Sequence, residues 1–578
     1  MFYRFIVDDL QTLYANGIDV TLADGRVELV RAALFFVACD IPASRKVCGF
    51  TAPGATCGCN KCANQWDPNP DHSLSRDYSN FDMRQWIPRT KQQNRQRAME
   101  WESCRTEQER KRHERLYGTR VTELHRLSYF DPIKCTIIDP MHNLFSGTAS
   151  RVTHHWMKME LLTKHHLVAM EEQLESMSMP PGYLISAGHF RSGFAGMTSD
   201  EWRSWTVLYS IPLLIGKLHS AHLANWQHFV DAVRILCQPS ITRREVDDAH
   251  DRFLKFCRGC VRLYGPAFIT PNMHLHCHLR EVVNDFGPVY GFWLFSFERY
   301  NGIIKNIDTN SKERFEVTFM KQFLRQSMSS SLTDALLEAG PHTLGYHLTR
   351  LMVSPVNADV LAGISYDHME FEGYASLQTP GFGAIIPCGW EPLPPSSFPM
   401  ATGDLVFMHR DHYPFLVEYY QNVYADWCRP VSVTTICSGP NMVQVNDRIH
   451  KIPKISILGQ TFFSMASRQT RLGCAIAITL STSNHERYLA PARPLYYFKH
   501  TFRDYDHYFA MVEWYNPSRH SWPTYHLYGC TACHATTAPL SMQSIVPVHY
   551  IHGIVSLSVI PDDHLLVRFL PRKIKTEC

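Results

Sequence analysis

At 578 residues, 45% hydrophobic and 19% charged, the chain has the composition of a folded protein and is long enough for roughly two to four domains. A net charge of +3 with His neutral is too small to imply a strongly basic nucleic-acid coat and neither supports nor excludes DNA binding, although thirty-one His make the chain much more cationic in mild acid. No apolar run reaches the roughly 18 residues of a membrane helix and MFYRFIVDDLQTLY lacks a signal-peptide layout, so a soluble, intracellular protein is expected.

In chain order, Phe2, Phe5, Ile6, Leu10 and Leu13 recur at steps of three and four, which predicts a helix over 2–16 packed on one face. The run VELVRAALFFVAC is apolar enough for a strand buried on both faces and leads into Asp40, as at the end of a core strand in an α/β sheet. A cysteine cluster follows in CGFTAPGATCGCNKC, and the charged stretch RTKQQNRQRAMEWESCRTEQERKRHERLYG reads as an exposed helix. CTII, Cys135 to Ile138, is a second short buried strand ending at Asp139. From about 150 to 345 the pattern is helical, with Trp202 and Trp205 expected in a core. Beyond 355, short β-branched runs such as DLVFMHR, FLVEYY, MVQVN, YYFKHTF and LLVRFL predict a separate all-β barrel or sandwich, preceded by a linker around PCGWEPLPPSSFP.

Eighteen Cys, scattered or in one tight cluster, suit reduced thiols and metal binding better than a disulfide scaffold. Cys48, Cys57, Cys59 and Cys62 place four thiols within fifteen residues, and Gly54 and Gly58 would let the backbone turn around one tetrahedral Zn²⁺. The spacing C-x8-C-x-C-x2-C is irregular: a remote His or Cys can replace one member, and free thiols in a loop are the competing reading. His274, His276 and His278 in TPNMHLHCHLREV are either packed core residues or metal ligands. On a helix His274 and His278 share a face; on a strand all three do. Asp40, Asp139 and Glu298, the last among aromatic residues in FGPVYGFWLFSFERYNGIIK, are the carboxylates a two-metal phosphoryl-transfer site would need. Taken singly, each reads more readily as a solvated turn residue or, for Glu298, as a partner of Arg299.

Together RAALFFVACDIPASRKVCGF, CGCNKC, YFDPIKCTIIDPMHNLFSGTA, FRSGFAGMTSDEWRSWT and YGPAFITPNMHLHCHL running on to FGPVYGFWLFSFERYNGIIK resemble, in order and over roughly residues 1 to 330, the CACTA (En/Spm-like) transposases abundant in mushroom-forming fungi. The C-terminal β region resembles the tail often joined to that core. The resemblance implies a DDE-type nuclease that cuts and joins DNA with Mg²⁺ or Mn²⁺. Its fold would be an α/β RNase H-like core, here incomplete, with a zinc knuckle and large α-helical insertions, followed by a C-terminal all-β domain. Carried over by position, Asp40 matches the second acidic residue, Glu298 the final Glu, and Asp139 with His142 the D-x-x-H signature that buttresses the site. The family's first catalytic Asp lies upstream of the helix beginning near Phe2, so strand transfer is expected to be lost.

The expected division is a core remnant over 1–47, a zinc knuckle over 48–66, a charged helical segment over 67–128 and a core strand with DPMH over 129–150. A helical insertion over 151–270, a core-helix region with the final Glu over 271–345, a linker over 346–400 and the β-rich domain over 401–578 complete it. The resemblance also implies a nuclear location and transposon ends as partner, with homo-oligomers possible and no membrane. Lys and Arg of residues 84 to 120, with Arg45 and Lys46, are the candidate DNA surface. The alternatives are a domesticated zinc-dependent DNA- or protein-binding module without catalysis, and an ordinary metallohydrolase built on the three His.

Overall fold

The computed structural model describes residues 3–307 apart from 23, 70–71, 178–182, 184 and 239; then 316–325, 328, 389, 398–399; and 405–570 apart from 440, 458–459, 468–474, 482–486, 519–530 and 561–562. The expected linker therefore lies almost wholly outside the described residues. The chain is mixed α/β and forms two compact units, Met1–Leu174 with Ile185–Phe295, and Glu175–Leu184 with Ser296–Cys578. Among the described residues no helix is long and apolar enough to cross a membrane.

The first unit opens with α1 (Tyr3–Ala15), the helix expected, but on a different face. Phe5 and Ile6 are exposed, whereas Val7 is buried with Cys48, Phe50, Leu124, Leu127, Phe130 and Ile133. The predicted strand through residues 28–39 is corrected. Its start pairs locally, β1 (Ile18–Thr21) with β2 (Val27–Val30) as an exposed antiparallel hairpin, and residues 31–36 pair with nothing regular. One parallel bridge remains, Val37 to Thr136, with Val37 N–H donating to Cys135 O at 2.8 Å. Thr136 to Ile138 of the CTII segment are buried as expected, but the segment is likewise reduced to that bridge, because the short helix α5 (Pro132–Cys135) claims its first residue. α2 (Ile41–Cys48) begins at Asp40 and ends at Gly49.

The charged segment is two helices, not one. After the hairpin β3 (Pro68–Asn69) and β4 (His72–Arg76), α3 (Lys91–Ser103) stops before Thr106, which caps α4 (Glu107–Tyr117) in a capping box with Glu109. The T-x-x-E pattern in RTEQE is the sequence signature of that restart.

Beyond Asp139 the chain is helical, as expected: a π-helix Met141–Ala149, α6 (Ser150–Lys158), α7 (Lys164–Ser176), α8 (Ser199–Ser204), a second π-helical turn Trp205–Tyr209 and α9 (Ser210–Leu214). The long pair α10 (Ser220–Leu236) and α11 (Arg243–Tyr264) and the short α12 (Pro271–His276) and α13 (Leu279–Phe286) complete the unit. Trp202 and Trp205 are core residues, and the three most deeply buried indoles find partners: Trp205 donates to Thr153, Trp156 to Tyr264 OH and Trp226 to Ser210. α10 and α11 approach so closely that a Cβ on Gly259 would stand 1.7 Å from Asn225 Oδ1.

The second unit begins within α14 (Phe295–Lys305). Its C-terminal part is β-rich with one correction. FLVEYY is not a strand but the middle of α15 (Tyr413–Val423), started by Pro414, with Leu416, Val417, Tyr419 and Tyr420 buried at helical spacing. A short parallel pair, β7 (Arg429–Ser432) with β8 (Met442–Val445), follows it, and β10 (Lys454–Ile457) pairs with β11 (Gln460–Phe463) and β5 (Phe398–Pro399). The main sheet joins β12 (Ile476–Ser481), β13 (Arg487–Phe502), β14 (Tyr505–Pro517), β15 (Thr531–Thr537), β17 (Ile551–Ile560) and β18 (His564–Phe569). The pairings run β12–β13–β14–β15–β18–β17 and back to β12, all antiparallel, which closes a small barrel. β6 (Leu405–Phe407) and β9 (Arg448–Ile452) extend β13 outward, and β16 (Ile545–Pro547) extends β14. One core, with Cys533, Val555, Leu557 and Val567, lies within these strands; another packs α15 onto Phe498, Phe509 and Met511.

Candidate metal centre

The loop between α2 and β3 carries Cys59 and Cys62. Gly58 makes its tight passage possible, because a Cβ there would lie 2.3 Å from Pro53 O and 2.4 Å from the Tyr78 hydroxyl. Arg45, expected to face DNA, is instead buried and donates to Thr51 O at 2.9 Å and Gly58 O at 2.7 Å. Arg89 gathers the other side, donating to the carbonyls of Cys59, Cys62, Cys57 and Tyr117. The backbone N–H groups of Lys61 and Cys62 point at Cys59 Sγ, at 3.2 and 3.4 Å. They stabilise a thiolate there.

The other half of the site comes from α12 and the turn after it. Because the segment is helical, His274 and His278 share one side and His276 faces the other. His274 Nε2 lies 3.4 Å from Cys62 Sγ, His278 Nε2 lies 3.7 Å from Cys59 Sγ, and the two Nε2 atoms are 3.3 Å apart. All four ligand atoms fall within 4.8 Å of one another, and all four residues are buried. A tetrahedral Zn²⁺ with Zn–S near 2.3 Å and Zn–N near 2.05 Å requires edges of about 3.3 Å for N···N and about 3.6 Å for S···N. The observed spacing is that of four ligands around one ion.

Electrostatics agree with the geometry. Burial opposes charge on Cys59, yet hydrogen bonding with Cys62 and the adjacent His274 and His278 hold its thiol well below the usual range. Cys62, sharing a proton with Cys59 and buried, is raised. Burial lowers His278, but the Cys59 sulfur and Glu281 more than offset this and raise it to about 10. A divalent cation replaces the protons these groups otherwise share. Glu281 Oε1 sits 3.2 Å from His278 Nδ1, the carboxylate–histidine arrangement that orients a metal-bound imidazole. Trp66, Tyr78 and Trp86 surround His274, with Trp86 4.2 Å away centroid to centroid.

Of the four cysteines expected as ligands, Cys59 and Cys62 belong to this close group and Cys48 and Cys57 do not. Cys48 ends α2 in the apolar cluster with Phe50, where burial pushes its thiol up to about 12. Cys57 lies against Arg89, whose Nη2 is 3.0 Å from its sulfur. Two histidines replace them. Signals for both halves were present, C-x-x-C and H-x-x-x-H, but 212 residues separate Cys62 from His274 and nothing local shows that they meet. His276 turns instead to Cys257, with Nε2 and Sγ 2.9 Å apart, and stacks on Phe253. Cys277 is the third member of that buried group. A 2.9 Å S···N contact is too short to span a metal and fits a thiol–imidazole hydrogen bond. Burial lowers His276 to about 3 and raises Cys257, so the pair is neutral.

The carboxylates expected at a catalytic site have other tasks. Asp40 is exposed and N-caps α2, accepting from Ala43 N at 2.6 Å. Asp139 is fully buried; Met141 N and Leu294 N donate to Oδ1, while His142 N and Nδ1 face Oδ2. The π-helix it starts supports the metal centre: Asn143 Nδ2 donates to Asn272 O at 3.0 Å, and Gly147 leaves room for Asn272 against it. That contact fixes the start of α12. Glu298 lies exposed on α14 in the second unit. Among the described residues, neither close group of potential ligands includes Asp40, Asp139 or Glu298. No protein-family model matches the chain, and no curated protein matches it.

Proposed function

We propose that the chain is a transposase-derived protein of the CACTA (En/Spm-like) kind, in which Zn²⁺ is structural and the ancestral Mg²⁺- or Mn²⁺-dependent cleavage and transfer of DNA strands has given way to binding. The observation that carries this reading is an assembly. CGCNKC, DPMHNLFSG and PNMHLHCHL, three of the segments on which the resemblance rests, build one unit around one metal centre. The ion would be held by Cys59, Cys62, His274 and His278, and it supplies a cross-link between a loop and a helix far apart in sequence.

A vestige of the sheet supports the same ancestry. Val37 and Thr136 pair in parallel, and Asp40 and Asp139 each follow three residues later, as carboxylates at the ends of two neighbouring core strands would. Against retained chemistry, both oxygens of Asp139 are already engaged by protein donors. A nuclear location and transposon ends as the ancestral target belong to this reading.

The test incubates the zinc-loaded chain with duplexes carrying the element's ends, in Mg²⁺ and in Mn²⁺. The expected result is retention of DNA without cleavage, unchanged in Asp40→Ala and Glu298→Ala. Cleavage that either substitution abolishes would show that the carboxylates still act. Loss of DNA retention would remove the binding half of the proposal.

A further inference from the structure

Several of the cations expected to meet DNA are committed elsewhere. Arg45, Arg89 and Arg95 are spent on backbone carbonyls, and Arg84, Arg97 and Lys111 pair with Asp82, Glu100 and Glu107. The opposite situation holds on α11. A cleft of about 400 Å³ is lined by Lys255, Arg258, Val261 and Arg262 of α11, His228 of α10 and Ser79 of the loop after β4. Lys255, Arg258 and Arg262 are exposed, and among the described residues no carboxylate lies within ion-pair distance of them. Asp231, the nearest acid to His228 along α10, is taken by Arg252 at 2.7 Å. Arg258 Nη2 donates to Phe81 O at 2.9 Å, which ties the Ser79 loop to the helix and leaves the rest of its guanidinium for a ligand.

Three like charges on one helical face repel one another, and an ordinary solvated helix relieves this with interleaved acids, as Arg252 does with Asp248. Here the cations converge on a concavity instead. Positions 255 and 262 are about 10 Å apart along the helix axis, too far for a single phosphate to touch both ends. We infer that the cleft between α10 and α11 binds a chain of at least two phosphates, with Lys255, Arg258 and Arg262 as its charge donors and the Ser79 hydroxyl as a further hydrogen-bond donor. A nucleic-acid strand and a free polyphosphate offer the same chemistry. If the ligand is a strand, this cleft is the surface through which the proposed DNA binding occurs.

The experiment uses the full zinc-loaded chain and two probes: a fluorescein-labelled oligonucleotide of arbitrary sequence, read by anisotropy, and inorganic tripolyphosphate, read by calorimetry. Lys255→Gln/Arg262→Gln should weaken binding of whichever probe binds by at least tenfold and, for the oligonucleotide, reduce the salt slope by about 2. Arg97→Gln/Lys111→Gln, the same charge change on a paired surface, should shift affinity less than twofold. Lys255→Arg should keep binding, which separates loss of charge from loss of fold. Oligonucleotide binding alone identifies a strand; tripolyphosphate binding of comparable strength identifies a free polyphosphate. The inference is overturned if neither probe binds or if the double variant binds as the wild type does. An oligonucleotide held equally by both would contradict this cleft while leaving a DNA-binding protein.

Discussion

Removing the metal, by chelation or by Cys62→Ser, should loosen the first unit more than any single core truncation. The magnitude follows from the span of the cross-link. Zn²⁺ joins Cys62 to His274 across 212 residues, and restricting an unfolded chain by a loop of that size is worth roughly 5 kcal/mol on the chain-entropy scale used for disulfides. Burial of the thiols and imidazoles without their ion adds to the loss. At about 2 °C per kcal/mol for a domain of this size, the unfolding transition of the first unit should fall by roughly 10 °C. The barrel transition of the second unit should stay in place. The assay is differential scanning calorimetry of metal-loaded, chelated and Cys62→Ser protein, with zinc content measured in each. A Cys48→Ser control should keep its zinc. A transition that moves by less than about 2 °C in fully zinc-free protein would refute the reasoning, as would Cys62→Ser retaining one equivalent at undiminished affinity.

Glu281→Gln removes the charge behind His278 Nδ1 and should cost 10- to 100-fold in zinc affinity, measured by competition with a chelating dye, with little change in the loaded structure. Glu201 accepts from Thr198 and Ser186, both backbone and side chain. Burial opposes its charge, but these bonds win and lower it to about 2. Its stabilisation is therefore complete above the ordinary carboxylate range and lost as pH falls from about 4.5 towards about 2; Glu201→Gln should flatten acid unfolding in that window and cost about 1–3 kcal/mol at neutral pH. Gly259→Ala drives a methyl into Asn225 and should destabilise by about 1–3 kcal/mol, with Asn225→Ala in the same chain recovering part of it, both read from denaturant midpoints. Asp139→Ala orphans the buried N–H of Leu294 and the donors of Met141 and His142 and should cost about 3 kcal/mol or more, read by urea unfolding of the first unit.

What could be read from the sequence divides by range. Helical periodicity marked α1 and the 150–300 region, and β-branched runs such as YYFKHTF and LLVRFL marked some of the strands that close the barrel, β13 and β18 among them, but not β12, β15 or β17. FLVEYY misled because its apolar residues satisfy both a short strand and one side of a helix, and Pro414 in the first helical turn was the local cue for the second. The run VELVRAALFFVAC misled because apolar composition measures capacity for burial, whereas a strand also needs a hydrogen-bonded neighbour: VELV finds one only in an exposed local hairpin, and beyond it Val37 makes a single bridge. At the metal centre the Cys-x-x-Cys half was legible and the histidine half was an open alternative. Choosing between a packed and a ligating His274 required knowing that the 59–62 loop folds against α12, a contact set by Arg89, Asn143 and Gly147 rather than by any short motif. Asp139 and His142 drew notice as chemistry, and in the structure they start the helix that holds α12.

The most direct test is X-ray absorption at the zinc edge on the purified chain, with metal content determined in parallel. One zinc per chain, with two sulfurs near 2.3 Å and two imidazole nitrogens near 2.05 Å, falling to a single imidazole in His274→Ala, is the predicted result. A shell of four sulfurs, which would restore Cys48 and Cys57 as ligands, or a chain that binds no stoichiometric metal, would contradict it.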